Sequence, residues 1–278
     1  MNATATIAFI GGGNMAGGII GGLVESGWSA ECLFASDPDD ARREQLSRRF
    51  GVDCFADNAQ CAARGEAVVL AVKPQLLQVA TEAVAPVLRR QQPLLLSIAA
   101  GIRAGDILRW AGAPLALVRA MPNTPALVNA GIAGLFATEQ VDARQRELAQ
   151  TILQSVGKVV WVEREEMIDL ITAISGSGPA YFFKLMELLA DSAVGGGLDR
   201  VAAETLAVQT AAGAAALAQR ESSAQSLATL RRQVTSPGGT TEAALRAMEE
   251  HGLDAAVQQG VAAAARRAAT IADEFGAD

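Results

Sequence analysis

A short apolar run at residues 6–10 ends in Gly11-Gly12-Gly13-Asn14-Met15-Ala16. A helical pattern through Ile19, Ile20, Leu23 and Val24 follows at once and stops at Gly27. Strand, glycine turn and helix in that order constrain this chain more than any other stretch. The turn fits G-x-G-x-x-A, with Gly11, Gly13 and Ala16 at the three small positions. Gly11 permits the tight turn, Gly13 lets a pyrophosphate approach the backbone, and Ala16 lets the helix lie close on the strand. Asn14 and Met15 open the helix, where free N–H groups favour phosphate. The pattern therefore points to dinucleotide binding; the alternative is a glycine turn with no ligand.

The following residues alternate in the same way. Strands are expected at 32–35, 68–72, 94–98, 116–120, 132–137 and 158–162, and helices after Pro38, from Pro74 to about Arg90 and at 143–155. Such alternation predicts βαβ units and a mostly parallel sheet covered on both faces, an α/β Rossmann-like domain. After about residue 165 the alternation stops, and 179–195, 200–220, 223–234, 240–251 and 254–275 all read as helices. The expected organisation is a dinucleotide-binding domain at 1–164 and an all-α domain at 165–278, in keeping with 278 residues at about 150 per domain.

Lys plus Arg number 23 against 30 Asp plus Glu, a net charge of −7, so a general nucleic-acid-binding field is absent. Local basic pairs remain at Arg42-Arg43, Arg48-Arg49 and Arg231-Arg232. A single histidine, His251, argues against a His-based triad and leaves no multi-histidine metal site. Cys32, Cys54 and Cys61 form no CxxC pair and read as buried thiols of a reducing cytoplasm. Met1-Asn2-Ala3-Thr4 lacks the basic start of a signal peptide, and no stretch is expected to reach the roughly 20 apolar residues of a membrane span.

Ligands of open parallel sheets bind beyond the carboxyl ends of the strands. There the chain places Asp37, Lys73-Pro74 and the segment 121–125 containing Asn123. Asp37 stands where an acidic residue would take the 2′-hydroxyl of NAD, Ser36 with Arg42 or Arg43 would instead take the 2′-phosphate of NADP, and Asp37 could equally cap a helix. In the helical part, 175–181 (Ser-Gly-Ser-Gly-Pro-Ala-Tyr) and 236–241 (Ser-Pro-Gly-Gly-Thr-Thr) each read as a polar turn opening a helix. Both would present free N–H groups to a carboxylate.

Arg119-Ala120-Met121-Pro122-Asn123-Thr124-Pro125, the turn at 175–181 and the turn at 234–241 together resemble the pyrroline-5-carboxylate reductase family. Val72-Lys73-Pro74, residues 97–101 and Gly196-Gly197-Leu198 match the same pattern. The resemblance spans nearly the whole chain, and the Ser-Pro-Gly-Gly-Thr-Thr string followed by Glu242, Ala243, Leu245 and Met248 is its most specific part. It implies reduction of 1-pyrroline-5-carboxylate to L-proline with NAD(P)H, the last step of proline biosynthesis. It also implies a homodimer intertwined through the helical domain, often built into a larger ring such as a decamer. The active site would form where one subunit's cofactor domain meets the helical domain of its partner.

By the same resemblance Thr241 hydrogen-bonds the pyrroline nitrogen. Ser236, Gly238 and Gly239 hold the substrate carboxylate, with Thr240 and Ser177 beside them. Gly11, Gly13, Asn14, Met15, Ser36, Asn58, Lys73, Pro74 and Asn123 belong to the cofactor site. NADPH is the expected cofactor and NADH the alternative, because Asp37 departs from the family's hydroxyl residue there. Residues 221–232 also depart, and no role is carried over to them. Two other readings are a β-hydroxyacid dehydrogenase and a non-catalytic dinucleotide sensor. In the first, Lys184 lies too far from Gly178 to be the catalytic lysine and reads as flanking the core.

Overall fold

The computed structural model describes residues 5–221 and 224–276. It forms two compact units, one made of the chain up to Ser177 together with the segment from Ala263 onward, the other of Gly178 to Ala262. This division by contact falls a little after the change in sequence character at 165.

The first unit is built on an eight-stranded sheet in the order β3-β2-β1-β4-β5-β6-β7-β8. Its strands are β1 (Ile7–Ile10), β2 (Leu33–Ser36), β3 (Asp53–Phe55), β4 (Ala67–Leu70), β5 (Leu94–Ser97), β6 (Leu117–Met121), β7 (Gly131–Ala137) and β8 (Gly157–Val162). All neighbours are parallel except β6 and β7. The helices are α1 (Asn14–Glu25), α2 (Asp40–Phe50), α3 (Asn58–Ala62), α4 (Pro74–Gln91), α5 (Ala104–Ala111), α6 (Ala143–Gln154) and α7 (Met167–Ile171).

Successive strand residues feed opposite faces. Ile7 and Phe9 join α1 and α6 in one buried cluster, while Ala8 and Ile10 join α3, α4 and α5 in the other. Burial on both sides explains why these strands read as continuous apolar runs. The pattern did not reveal β3, α3 or α5: three, five and eight residues are too short to establish a period.

Arg119, on β6, is almost completely buried and pairs with Glu165. The same carboxylate accepts the N–H of Ala104 at the start of α5 (2.7 Å). Asp169 on α7 is buried beside Arg119 and Arg103, and Arg103 pairs with Asp273 at 3.2 Å. Only Cys61 of the three free cysteines is buried; Cys32, in the turn before β2, and Cys54, on the edge strand β3, are half-buried.

The second unit contains α8 (Gly178–Gly195), α9 (Arg200–Glu221), α10 (Leu227–Gln233), α11 (Thr240–Glu250) and the first part of α12 (Leu253–Gly276). The start expected at Ser223 lies outside the described residues; α10 begins after Ser226, whose hydroxyl accepts the N–H of Thr229. The private core of this unit is small: Ala190, Ala203 and Ala207, with Met186, Ala193 and Val194 against them. Phe182 and Phe183 are each more than 60% exposed, and Leu188, Val201, Leu206, Val208 and Val257 are exposed as well. Contrary to expectation, α9 is apolar enough, by length and composition alone, to cross a membrane. Its many alanines raise its hydropathy without long side chains.

Burial lifts the Asp169 carboxyl above its usual range, against the opposing pull of Arg119 and Arg103. A carboxyl raised in the folded state costs stability when ionised. That cost is full above the raised pKa and disappears as pH falls below the unfolded value, about 3.9. Asp169→Asn is therefore expected to raise Tm near neutral pH, with the gain shrinking on acidification. A lower Tm for this variant at neutral pH would contradict it.

Candidate functional site

Ile10 is in register with Ser36 on one side and Leu70 on the other, so β1, β2 and β4 end level. The next residues, Gly11, Asp37 and Ala71, meet where the strand order reverses, the place an open parallel sheet offers a ligand. Gly11 has φ +102°, and a Cβ there would lie 2.8 Å from the Ala71 carbonyl oxygen. A Cβ on Gly12 would lie 3.0 Å from Leu46 Cδ1. Gly13 precedes α1 in extended conformation, and no side chain caps the helix. The first-turn N–H groups, those of Asn14 and Met15 among them, remain available to an anion. The cradle fits a dinucleotide pyrophosphate.

Asp37 holds this cradle. Its carboxylate accepts the Gly12 N–H and the Asp39 N–H, both at 3.0 Å. The cap of α2 is Asp39, which accepts the Ala41 N–H at 2.9 Å. Asp37 is thus neither that cap nor an open ribose acceptor: it is buried, and both oxygens are engaged by backbone. Arg43 donates to the Asp37 carbonyl at 2.7 Å and pairs with Asp40. Arg42 is half exposed, 3.9 Å from the Asp37 carboxylate, and its Nη1 lies 3.8 Å from where a Gly13 Cβ would stand. Arg42 also lies 3.7 Å from the Asp39 carboxylate, and of the two arginines it is the more exposed and the one beside the glycine loop.

Ser36 has no accessible surface; its hydroxyl donates to Asn58 Oδ1 at 2.8 Å. The expected direct contact with the cofactor is corrected to support of Asn58, which opens α3 at the edge of the site. Beneath it, burial pushes the Cys61 thiol up to about 12, so this sulfur is a packing group. Lys73 is exposed and directly precedes α4, whose first residue is Pro74. Asn123 is also corrected. It is buried, its amide donates to the Ser175 carbonyl at 3.1 Å, and its oxygen accepts the Ile132 N–H at 3.0 Å. It ties the 175 segment to β7 rather than reaching outward.

The 175 segment differs from expectation too. Residues 172–176 form a π-helical turn, and the Ser177 N–H donates to the Thr172 carbonyl at 2.8 Å. Ser177 therefore continues a helical path and offers no free N–H, because the wide turn closes its own backbone bonds; π turns recur at functional sites. Lys184 is corrected from core-flanking to exposed, pairing with Glu187 at 3.0 Å.

On the second unit, the turn at 236–241 does open a helix. Gly238 is left-handed (φ +70°), Gly239 precedes α11, and no side chain caps the helix in the usual way. The Gly239 N–H returns to the Ser236 carbonyl at 3.0 Å, and Gly238 donates to Glu242 Oε2 at 2.6 Å. Both glycine N–H groups are thus closed within the loop. The open donors are those of Thr240, Thr241 and Glu242 in the first turn. Ser236 and Thr240 are exposed and Thr241 is half-buried. Glu242 was not singled out as a site residue; its position three residues after the cap was the available clue. Among the described residues no cluster of three or more His, Cys, Asp or Glu could hold a metal.

A phosphate-binding glycine turn at the switch point of a doubly wound sheet, joined to an all-helical unit, defines a dinucleotide-dependent oxidoreductase. Residues 165–271 match the family described as pyrroline-5-carboxylate reductase dimerisation, and residues 6–101 match NADP oxidoreductase coenzyme F420-dependent. The chain is 46% identical to the pyrroline-5-carboxylate reductase of Pseudomonas aeruginosa over 99% of both chains. The solved reductase of Coxiella burnetii is 41% identical, with a TM-score of 0.92 over 96% of this chain and 98% of that one. The Plasmodium falciparum pyrroline carboxylate reductase, solved with NADP bound, is 28% identical, with a TM-score of 0.83 over 96% and 98%. The chain belongs to the pyrroline-5-carboxylate reductase family. It is an oxidoreductase that uses a nicotinamide dinucleotide.

Proposed function

We propose that the protein reduces 1-pyrroline-5-carboxylate to L-proline with NADPH, as a cytoplasmic homodimer. In this reading residues 1–164 bind the dinucleotide and residues 165–278 carry dimerisation and the substrate loop. The observation that carries the substrate assignment is the α11 N-terminus, where Thr241 stands among open N–H groups. Free cysteines suit a reducing compartment.

When bound, the reduced nicotinamide supplies the hydride. Gly11, Gly13, Asn14 and Met15 would hold its pyrophosphate, with Asn58, Lys73 and Pro74 at the margin of the cleft. The chain's own residues bind and orient. The positive end of α11, through the N–H groups of Thr240 and Thr241 and the loop of Ser236, Gly238 and Gly239, favours the substrate carboxylate. Thr241 accepts a hydrogen bond from the protonated ring nitrogen. A cyclic imine brings that proton from water and becomes a good hydride acceptor when it carries it. A threonine hydroxyl is too weak an acid to supply the proton, so its part is orientation. The wild-type enzyme should oxidise NADPH with pyrroline-5-carboxylate. Thr241→Ala should lower kcat/KM roughly tenfold or more with cofactor affinity unchanged. A folded, NADPH-binding protein without turnover would refute the assignment, and wild-type kinetics in the variant would make Thr241 a helix residue only.

The engagement of Asp37 with backbone removes the usual acceptor for an unphosphorylated ribose, and Arg42 supplies a cation at the same place. Both favour NADPH. The ratio of kcat/KM for NADPH over NADH should exceed one and fall about tenfold in Arg42→Ala. A wild-type preference for NADH would show that Asp37 turns to the ribose.

The exposed side chains of α8 and α9 support dimerisation: a unit with three buried alanines at its centre leaves its large apolar residues for a partner. Sedimentation equilibrium at assay concentration should give a dimer or a multiple of it, such as a decamer. Phe182→Asp with Phe183→Asp should dissociate it and abolish activity. An active wild-type monomer would overturn this reading.

A further inference from the structure

Gly239 stands at the cap position of α11 and has no side chain with which to bind the first-turn N–H groups. In a capping box the acidic residue at the third helical position bonds the backbone N–H of the cap itself. Glu242 occupies that third position but reaches one residue further back, to Gly238 (2.6 Å). The cap's own N–H is already bonded to the Ser236 carbonyl, and a Cβ at Gly239 would lie 2.5 Å from Ser236 Oγ. Gly238 is held at φ +70°, a conformation the backbone keeps only when a turn demands it. Among the described residues Glu242 makes no ion pair; its carboxylate accepts the Gly238 N–H.

We propose that Glu242 is a positioning residue for the substrate carboxylate, resting on the functional reading above. It acts through the loop and does not touch substrate. Its carboxylate clamps the Gly238 N–H and so holds the left-handed turn that leads into α11. The same contact fixes the Glu242 carboxylate on Gly238. Left to reach the helix end, that charge would compete with any ligand anion for the positive N-terminus. With Gly238 and Gly239 both closed, an incoming carboxylate is directed to the N–H groups of Thr240 and Thr241. The clamp therefore decides which donors are open to the carboxylate.

Glu242→Gln keeps an acceptor oxygen for Gly238 and removes the charge; Glu242→Ala removes both. Steady-state kinetics with pyrroline-5-carboxylate should show KM for the substrate raised roughly tenfold in Glu242→Ala, with kcat and the KM for NADPH within about twofold of wild type. Glu242→Gln should recover most of the substrate KM. Amide hydrogen exchange at Gly238, read without substrate, should be slow in wild type and Glu242→Gln and fast in Glu242→Ala. An unchanged or lowered substrate KM in Glu242→Ala would overturn the proposal, and so would unchanged exchange at Gly238 in that variant. Failure of the underlying functional reading would appear separately, as a wild-type enzyme inert toward this substrate.

Discussion

No Cβ can stand between Gly11 and the Ala71 carbonyl, and the dinucleotide cradle depends on that close approach. The level ends of β1 and β4 leave the turn nowhere else to go. With glycine there, α1 starts directly above the switch point with its first N–H groups open. The turn is then held from the opposite side by the Asp37 carboxylate on Gly12. A backbone packed this tightly is preorganised. The anion meets donors already in place, and little ordering remains to be done on binding.

What could be read from the sequence follows from how local each feature is. The strand–turn–helix at residues 6–24 was legible because its glycines, its apolar period and its order all lie within twenty residues. The parallel sheet was legible for the same reason, repeated along the chain. Side-chain direction was not. Ser36 and Asn123 sit at the expected places, yet one is sealed under Asn58 and the other bridges Ser175 and Ile132. A motif states which residue types a neighbourhood contains; whether a hydroxyl or amide faces outward depends on partners distant in the chain. The Ser-Gly-Ser-Gly run at 175 misled in another way. Glycines there suggested a break, while the chain absorbed them in a wider helical turn, with Gly176 packed closely on Met121.

The loop proposed to hold the substrate illustrates a division of labour among small residues. Gly238 supplies conformation, Gly239 supplies space beside Ser236, and the paired threonines supply donors and hydroxyls. None of these residues is charged. The positive character of the site comes from the end of α11 itself, and such a field does not change with pH across the physiological range. A cluster of arginines could hold a carboxylate more tightly, but it would also hold the cationic ring nitrogen away. Aligned backbone dipoles favour the anionic end of a zwitterionic ligand with less penalty at its cationic end.

The C-terminal turns of α12 belong with the sheet-bearing unit: Ala268 and Ala272 are buried, Ile271 lies against Gly101, and Phe275 packs on one of the two cores. In connectivity the helical unit is therefore an insertion between two pieces of the dinucleotide-binding unit. During synthesis the sheet can assemble as its strands emerge, but one side remains open until some ninety further residues have been translated. The nascent chain thus completes its helical segment before its first domain is sealed.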